Sequence, residues 1–251
     1  MNEFNVPFIF DRKQASAKWS RAHDRQRLHG GATYLADTMA NDILDRLDFM
    51  RFEAKSALVV GDATASLTTP LIERGVNGNI GRLGEFDEEQ PDTPESFDLV
   101  VHLLGLGMVN DLPGALLHAR NTLKKGGLFV AAFPGAGSLP VLRRLALEAD
   151  GDRPAARIHP QVDNRAGTAL LQRAGFSRQV VDSYPIKVRY GTLDRLIGDL
   201  RDHGLTKSLS SAAPPLSRQS WAKAEAAFNA LREDDGKVTE TFEILTLTGW
   251  R

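Results

Sequence analysis

Two side chains that could take part in catalysis lie at or just after a predicted strand. His102 lies within the apolar stretch 97–104, and Asn110 follows that stretch. An imidazole could act as a general base, and both groups could align a substrate. A histidine inside an apolar strand also fits a hydrogen-bonded core residue, and Asn110 with Asp111 also fits a helix cap. We prefer the structural interpretation for both.

A second group of polar side chains could line a substrate opening in the later half of the chain. His159, Asp163 and Arg165 come just before a predicted helix, and Arg189 and Tyr190 end a predicted strand. Asp163 is also well placed to cap its helix, and we prefer that role.

The N-terminal segment is both basic and aromatic. Arg12, Lys13, Trp19 and Arg21 could fold over a site as a lid. Alternatively, the segment forms a helix that packs on the sheet through Phe10 and Trp19. We favour the packed helix.

Composition excludes several classes of site. The chain has 251 residues, of which 42% are hydrophobic and 25% charged, as expected for one globular domain. The net charge of −1 provides no field that would recruit nucleic acid. There is no cysteine, and the six histidines lack the spacing of a metal site. The motifs of a phosphate-binding loop and of a hydrolase nucleophile elbow are also missing.

The sequence favours a cytoplasmic protein without a membrane span. Met1-Asn2-Glu3 does not begin a secretory signal, and apolar runs stay well below the ~18 residues that indicate a membrane-spanning helix.

Predicted strands and helices alternate along the chain, which indicates a doubly wound α/β sheet. Strands are predicted at 56–61, 79–83, 97–104, 128–133, 180–190 and 239–247. Helices are predicted at 33–47, 63–74, 111–123, 138–148, 163–174, 193–203 and 220–232. The acidic, proline-containing stretch 85–95 is predicted to be a loop.

A series of motifs follows these elements from one end of the chain to the other. They are Ile-Phe-Asp-Arg at 9–12, Ser-Phe-Asp-Leu-Val at 96–100, Asn-Asp-Leu-Pro at 110–113, Leu-Lys-Lys-Gly-Gly-Leu-Phe at 123–129, His-Pro-Gln-Val-Asp-Asn-Arg at 159–165, Leu-Leu-Gln-Arg-Ala-Gly-Phe at 170–176 and the closing 241–250. Their order resembles the class I S-adenosylmethionine-dependent methyltransferases. It is most similar to the subgroup that holds the biotin-pathway malonyl-carrier-protein methyltransferase and the mitochondrial complex I assembly factor 5.

The resemblance implies a Rossmann-like fold with a seven-stranded, mostly parallel sheet and an antiparallel last strand. It divides the single domain 1–251 into a helical N-terminal extension (1–50), a nucleotide-binding half (51–135) and substrate-side helices with the C-terminal strands (136–251). It also implies a site for S-adenosylmethionine at the carboxyl ends of the strands. The residues expected to bind this cofactor are Gly61, Asp62, Ala63, Thr64, Ala65, Glu85, His102 and Leu103.

The expected cofactor loop departs from the family pattern. The family has a Gly-x-Gly-x-Gly loop here, in which each glycine lets the backbone approach the cofactor or turn sharply. Ala63 and Ala65 replace the second and third glycines, and Val59 replaces an acidic residue that helps to hold the cofactor ammonium. Asp62 could repel the cofactor carboxylate, or it could take over the ammonium contact.

Two further regions depart from the family. The interval from Gly84 to Phe97 is about as long as one parallel crossover alone, which takes about a dozen residues. We therefore expect the third strand of the fold to be missing or vestigial. Gly107 and Met108 stand where active relatives commonly carry an aromatic or histidine pair, which empties part of the pocket wall.

These features leave two hypotheses open. In the first, the protein is a methyltransferase that uses S-adenosylmethionine on a small or carrier-borne acid, with Arg12, Trp19, Asn110, His159, Asp163, Arg189 and Tyr190 as candidate substrate residues. In the second, the site is a relic, and the fold serves as an assembly factor or binding scaffold with a protein partner. A nucleotide-like ligand other than the cofactor is a third, weaker alternative.

Overall fold

The computed structural model describes residues 8–251. Met1-Asn2-Glu3, where we expect no signal segment, lies outside the described residues. The strands are β1 (Ser56–Val60), β2 (Asn77–Gly81), β3 (Phe97–Leu103), β4 (Leu123–Pro134), β5 (Ser177–Tyr190) and β6 (Val238–Trp250).

The strands form one sheet in the order β2-β1-β3-β4-β6-β5. The first four strands in this order pair in parallel, and β6 is antiparallel to both β4 and β5. The expectation of a mostly parallel sheet with an antiparallel last strand is confirmed. Within residues 8–251 this sheet has six strands, whereas the resemblance implied seven.

The strand missing from the sheet is the expected third one. Between β2 and β3 the chain forms turns and loop but no strand, so β2 lies at the edge of the sheet. Ile80 in β2 is 59% exposed, as expected for a residue on an edge strand. This confirms that the crossover region before Phe97 is too short to hold the third strand.

The helices are α1 (Arg12–His29), α2 (Tyr34–Met50), α3 (Thr68–Glu73), α4 (Leu112–Thr122), α5 (Pro140–Asp150), α6 (Asn164–Arg173), α7 (Leu193–Asp202) and α8 (Arg218–Asn229). The helix predicted at 63–74 is wrong in length, because α3 begins only at Thr68. Ala65 has a φ of +59°, outside the helical range, so the turn before α3 cannot join the helix.

The two faces of the sheet pack against different helices. On one face, α2 buries Leu35, Met39 and Ile43 completely. On the other face, α4 and α6 bury Leu116 and Leu171. Because strands β1, β3 and β4 are covered on both sides, their sequences are continuously apolar rather than alternating.

Helix α1 packs on the end of α7 through an aromatic contact. Trp19 is only 8% exposed and lies against Gly204, where a Cβ atom would collide with the indole ring. Gly204 also has a φ of +68°, so this position favours glycine for two reasons. The contact brings α1 over the region where β1 and β2 end.

None of the helices within residues 8–251 has the length and the apolar character that crossing a membrane requires.

Candidate functional site

A cavity of about 490 Å³ opens where β1 and β2 end, which we call the loop cavity. Its volume lies within the ~300–1,000 Å³ that is usual for small-molecule sites. Its walls are the loop after β1, the segment after β2 and the inner side of α1. It brings together Trp19, Gly61, Asp62, Ala63, Ala65 and Glu85 from the set of residues predicted for a site.

Gly61 follows β1 at a point where the backbone passes very close to the end of β3. Its φ is +90°, and a Cβ atom there would collide with the backbone carbonyl oxygen of Leu103. The glycine therefore has a structural cause that does not depend on any ligand.

Asp62 lies directly behind Gly61 and is only 7% exposed. One carboxylate oxygen, Oδ2, accepts three hydrogen bonds: from the backbone N–H groups of Leu67 and Thr68 at 3.1 and 2.7 Å, and from the Thr68 hydroxyl at 2.6 Å. These bonds satisfy the N-terminal N–H groups of α3. The other oxygen, Oδ1, is buried and has no hydrogen-bond partner among residues 8–251.

His203 is a second buried polar group in the wall of the loop cavity. It ends α7, is 1% exposed, and packs its ring edge-on against Tyr34 at 4.7 Å. Burial lowers the pKa of His203 to about 4, although nearby carboxylates such as Asp199 oppose this shift. Neither ring nitrogen finds a partner in the described part of the chain. The imidazole is therefore neutral at pH 7 and free to donate one hydrogen bond and accept another.

No motif or spacing in the sequence singles out His203 as a site residue. The only local signal is a histidine between the last turn of a predicted helix and a glycine, which fits a helix end equally well. Its role in the cavity depends on how α7 packs against α1, and the sequence pattern does not reveal that contact.

The two alanines of the loop differ in backbone conformation. Ala65 has a φ of +59°, a region that glycine favours and alanine adopts at a cost of roughly 1–2 kcal/mol. Ala63 is exposed and is not among the residues with positive φ. Of the two positions, the backbone thus keeps a glycine-like conformation at Ala65.

Thr64 is not among the residues that line the loop cavity. Its hydroxyl donates a hydrogen bond to Asp37 Oδ1 at 2.6 Å and contacts Ser66 Oγ at 2.8 Å. Burial tends to raise the pKa of Asp37, but the hydrogen bonds from Ser66 and Thr64 outweigh it and hold that pKa below its usual value. Thr64 thus fastens the loop to α2.

His102 and Leu103 also lie outside the loop cavity. His102 is buried beside Val60 and Phe129, and its Nε2 lies 2.9 Å from Glu88 Oε1. It has the environment of a hydrogen-bonded core histidine. Leu103 is buried in the core on the other face, and the next residue, Leu104, contributes to the cavity wall instead.

Charged side chains surround the outer part of the loop cavity. Glu85, one of the residues expected to bind the cofactor, has a side chain that is 70% exposed and lies 3.6 Å from Arg82. Arg82 in turn contacts His23 of α1 at 3.2 Å. The carboxylate of Glu85 is therefore only loosely engaged within the protein.

Arg12 and Asn110, predicted as substrate residues, instead hold the N-terminal segment in place. Asn110 accepts a hydrogen bond from the Phe10 N–H at 2.8 Å and donates one to the Phe10 carbonyl at 3.1 Å. Arg12 pairs with Asp87 at 2.5 Å, and the hydrogen bond to this carboxylate raises the pKa of the guanidinium. Together these contacts fasten the start of α1 to neighbouring loops.

A second cavity, of about 260 Å³, lies among α5, α7 and α8, and we call it the apolar cavity. Leu104 lies in the walls of both cavities. His159 is the one predicted substrate residue in this wall. Its Nε2 accepts a hydrogen bond from the Ser208 N–H at 2.8 Å. Burial, with Lys18 and Lys207 nearby, lowers the pKa of His159 to about 4.

The remaining predicted substrate residues lie outside both cavities. Asp163 caps α6 by accepting a hydrogen bond from the Ala166 N–H at 2.7 Å. Arg189 pairs at the surface with Asp235 at 2.5 Å. The Tyr190 hydroxyl donates to Asp199, and burial raises its pKa.

Within residues 8–251, no group of three or more histidine, aspartate and glutamate side chains is arranged to hold a metal ion.

Comparison with known proteins relates this architecture to one family. A family model described as a methyltransferase domain matches residues 32–180. Over 170 residues the chain is 35% identical to the mouse protein named arginine-hydroxylase NDUFAF5, mitochondrial, an alignment that covers 66% of this chain and 50% of the mouse protein. The chain thus spans about half the length of that relative.

Two further comparisons cover more of the chain. Over 240 residues it is 25% identical to malonyl-[acyl-carrier protein] O-methyltransferase 1 of Coxiella burnetii, covering 89% of this chain and 83% of that protein. The crystal structure of Burkholderia thailandensis 1,6-didemethyltoxoflavin-N1-methyltransferase, with S-adenosylhomocysteine bound, superimposes with a TM-score of 0.53 and 13% identity. That superposition covers 95% of this chain and 88% of the other, and it shows a shared fold.

Proposed function

The chain belongs to the methyltransferase-domain family, and we propose that it binds S-adenosylmethionine in the loop cavity and methylates a carboxylic acid. The observation that carries this proposal is the pair of unpartnered polar groups in that cavity, Asp62 Oδ1 and the ring of His203. Leaving a buried polar group unpaired costs about 1–3 kcal/mol. A polar ligand that bonds to both groups would recover that free energy.

The chemical groups of S-adenosylmethionine fit this wall. Its ammonium needs an acceptor, and Asp62 Oδ1 is an ionisable oxygen without a partner in residues 8–251. The neutral ring of His203 suits a carboxylate or a hydroxyl. Glu85, loosely held by Arg82, is available for the ribose hydroxyls. Asp62 would thus supply the charge that Val59 cannot.

When bound, S-adenosylmethionine supplies a methyl group on a sulfonium centre, ready for attack by a nucleophile. The protein then has to align the acceptor and exclude water. Trp19 and α1 cover the loop cavity, and Leu104 stands between it and the apolar cavity.

The acceptor side favours a nucleophile that is already ionised. His159 Nε2 is occupied by the Ser208 N–H, so the ring carries its proton on Nδ1 and is not free to act as a base there. A carboxylate needs no base at neutral pH. A carrier-borne acid is consistent with the Coxiella relative, whose name specifies a malonyl-carrier substrate.

Transfer of a tritiated methyl group from S-adenosylmethionine to carboxylic acids, free or bound to a carrier protein, tests this function. We expect base-labile label in the acid, as a methyl ester releases methanol in alkali. Label that resists alkali, or no transfer to any acid, would contradict methylation of a carboxylate.

The second candidate is a binding scaffold that does not use the cofactor. The observations that favour it are the uncovered edge strand β2, with Ile80 59% exposed, and the strained Ala65 in the loop. A purified partner should then be retained by the wild-type chain and lost by Ile80→Lys. Retention by both variants, together with saturable cofactor binding, would contradict this candidate.

A further inference from the structure

The apolar cavity differs from the loop cavity in the chemistry of its wall. Most of its surface is apolar, and the aliphatic and aromatic side chains in its wall include Leu142, Leu145, Ala149, Ile197, Leu200 and Trp221. These residues come from α5, α7 and α8, which cover the same end of the sheet.

Several polar side chains in this wall already make hydrogen bonds within the protein. Arg157 donates hydrogen bonds to Asp150 at 2.8 and 2.5 Å. Lys207 donates to the Ser211 carbonyl at 2.7 Å, and His159 accepts from the Ser208 N–H. Of the lining residues, all within 8–251, none has a buried side-chain nitrogen or oxygen without a partner.

This contrast assigns different ligand chemistry to the two cavities. The loop cavity has buried polar atoms that a ligand would have to satisfy, whereas the apolar cavity offers none among the described residues. A charged or strongly polar group placed among the aliphatic side chains of the apolar cavity would lose hydration that those side chains do not replace. The part of a ligand that fills it must therefore be apolar.

Leu104, which lies in the walls of both cavities, precedes a short turn. Leu104 has a φ of +66° and ψ of −46°, a conformation that non-glycine residues adopt only where the surroundings enforce it. The next lining residues are Gly107 and Met108. A missing side chain and a flexible thioether leave room that an aliphatic chain can occupy.

We propose that the apolar cavity binds the aliphatic chain of the methyl acceptor, and that the acceptor is a medium-chain carboxylic acid with a free carboxylate. The carboxylate faces Leu104 and the loop cavity, and the chain extends between α5 and α7. The identity of the acceptor rests on the proposed function, but binding of the chain does not.

Straight-chain acids from butanoic to dodecanoic acid are suitable probes, with binding followed by calorimetry in the absence of cofactor. Affinity rises by about fourfold for each methylene that enters the cavity, and it levels off when the cavity is full. Malonate, which has no aliphatic chain to bury, binds far more weakly than octanoic acid.

Ala146 lines the cavity on α5 and is partly buried, so Ala146→Phe fills part of the space. Leu147→Phe is the matched control, because Leu147 lies on the same helix and is 56% exposed. Ala146→Phe abolishes the gain with chain length, and Leu147→Phe retains it. If Ala146→Phe does not fold, Ile197→Trp fills the cavity from α7 and gives the same loss.

Two results would overturn the proposal: affinity that does not depend on chain length, or equal binding by the filled variant and its control. Failure of the proposed function is a separate result. In that case the acids bind with the predicted length dependence, but S-adenosylmethionine does not bind and no ester forms.

Discussion

The carboxylate of Asp62 accepts a hydrogen bond from the hydroxyl of Thr68 at 2.6 Å, and this bond joins the loop after β1 to the first turn of α3. Both residues are buried. Because all three donors converge on Oδ2, Oδ1 stays unpaired within residues 8–251, and Asp62 is one of the residues that line the loop cavity. One side chain thus caps the helix and keeps an unpaired carboxylate oxygen beside the cavity.

Two variants separate these two roles of Asp62. Thr68→Val removes the hydroxyl donor but keeps the carboxylate, so we expect a loss of about 1 kcal/mol in the free energy of unfolding and unchanged ligand affinity. Asp62→Ala removes the helix cap as well, which costs about 1–2 kcal/mol, and it weakens ligand binding at least about tenfold. Urea unfolding and ligand titration of both variants check this. Equal ligand affinity in Asp62→Ala and the wild type would show that the free oxygen has no binding role.

The two loop alanines should respond in opposite directions to replacement by glycine. At Ala65, relief of the positive φ, roughly 1–2 kcal/mol, exceeds the entropy that glycine adds to the unfolded chain, so Ala65→Gly is neutral or stabilising. At Ala63 there is no such strain to relieve, and Ala63→Gly destabilises by about 0.4–1 kcal/mol. Thermal unfolding of the two variants is the measurement. A lower melting temperature for Ala65→Gly than for Ala63→Gly would contradict this account of the loop.

The order of the elements and the short β2–β3 interval could be read from the sequence. Apolar runs such as residues 97–104 and 128–133 are typical of strands buried on both faces, and the interval before Phe97 is simply too short for another crossover. The start of α3 could not be predicted. It depends on Asp62 capping Leu67 and Thr68 across the turn, whereas Ala63 and Ala65 have high helix propensity.

Stability should fall in mild acid because of buried histidines. The pKa of His203 is about 4 in the folded protein and near 6.5 in the unfolded chain. As the pH falls from about 6.5 to 4, the unfolded chain takes up a proton that the folded protein does not. The free energy of unfolding therefore falls by up to about 3 kcal/mol. His159 contributes in the same direction. Burial raises the pKa of Glu240, which acts in the opposite direction at the lower end of this range.

His203→Phe keeps a ring against Tyr34 but removes the titrating group. Between pH 7 and pH 4.5, the free energy of unfolding measured in urea should change less steeply with pH in this variant. The difference in slope corresponds to the uptake of about one proton at most. His29→Phe is the control, since His29 is exposed on α1. An unchanged slope in His203→Phe would mean that His203 is protonated in the folded state.

The hydrogen bonds that hold the N-terminal segment in place can be tested at Asn110. Asn110→Ala removes both hydrogen bonds to Phe10. We therefore expect the free energy of unfolding to fall by roughly 1–2 kcal/mol and hydrogen exchange at the start of α1 to become faster. Asn164→Ala, at an exposed asparagine on α6, should leave the exchange of α1 unchanged. Equal exchange rates in Asn110→Ala and the wild type would show that these two hydrogen bonds do not hold the start of α1.

Residues in the site were harder to predict than strands. Gly61, Asp62 and Glu85 follow strand ends, so the pattern of the sheet locates them. His203 lines the loop cavity because of the way α7 packs. Leu104 lines it at a position where its own backbone has a positive φ. Arg189 and Tyr190 look available in the sequence, but they pair with Asp235 and Asp199.

Calorimetric titration of S-adenosylmethionine and S-adenosylhomocysteine into the wild type and Asp62→Asn tests the central claim most directly. The amide introduced by this substitution would keep an oxygen to cap α3 but lose the charge that faces the ligand ammonium. We predict saturable one-site binding to the wild type and at least about tenfold weaker binding to the variant, because hydrogen bonds to charged groups contribute about 1.5–3 kcal/mol. No saturable heat from the wild type with either ligand at millimolar concentration would contradict the claim.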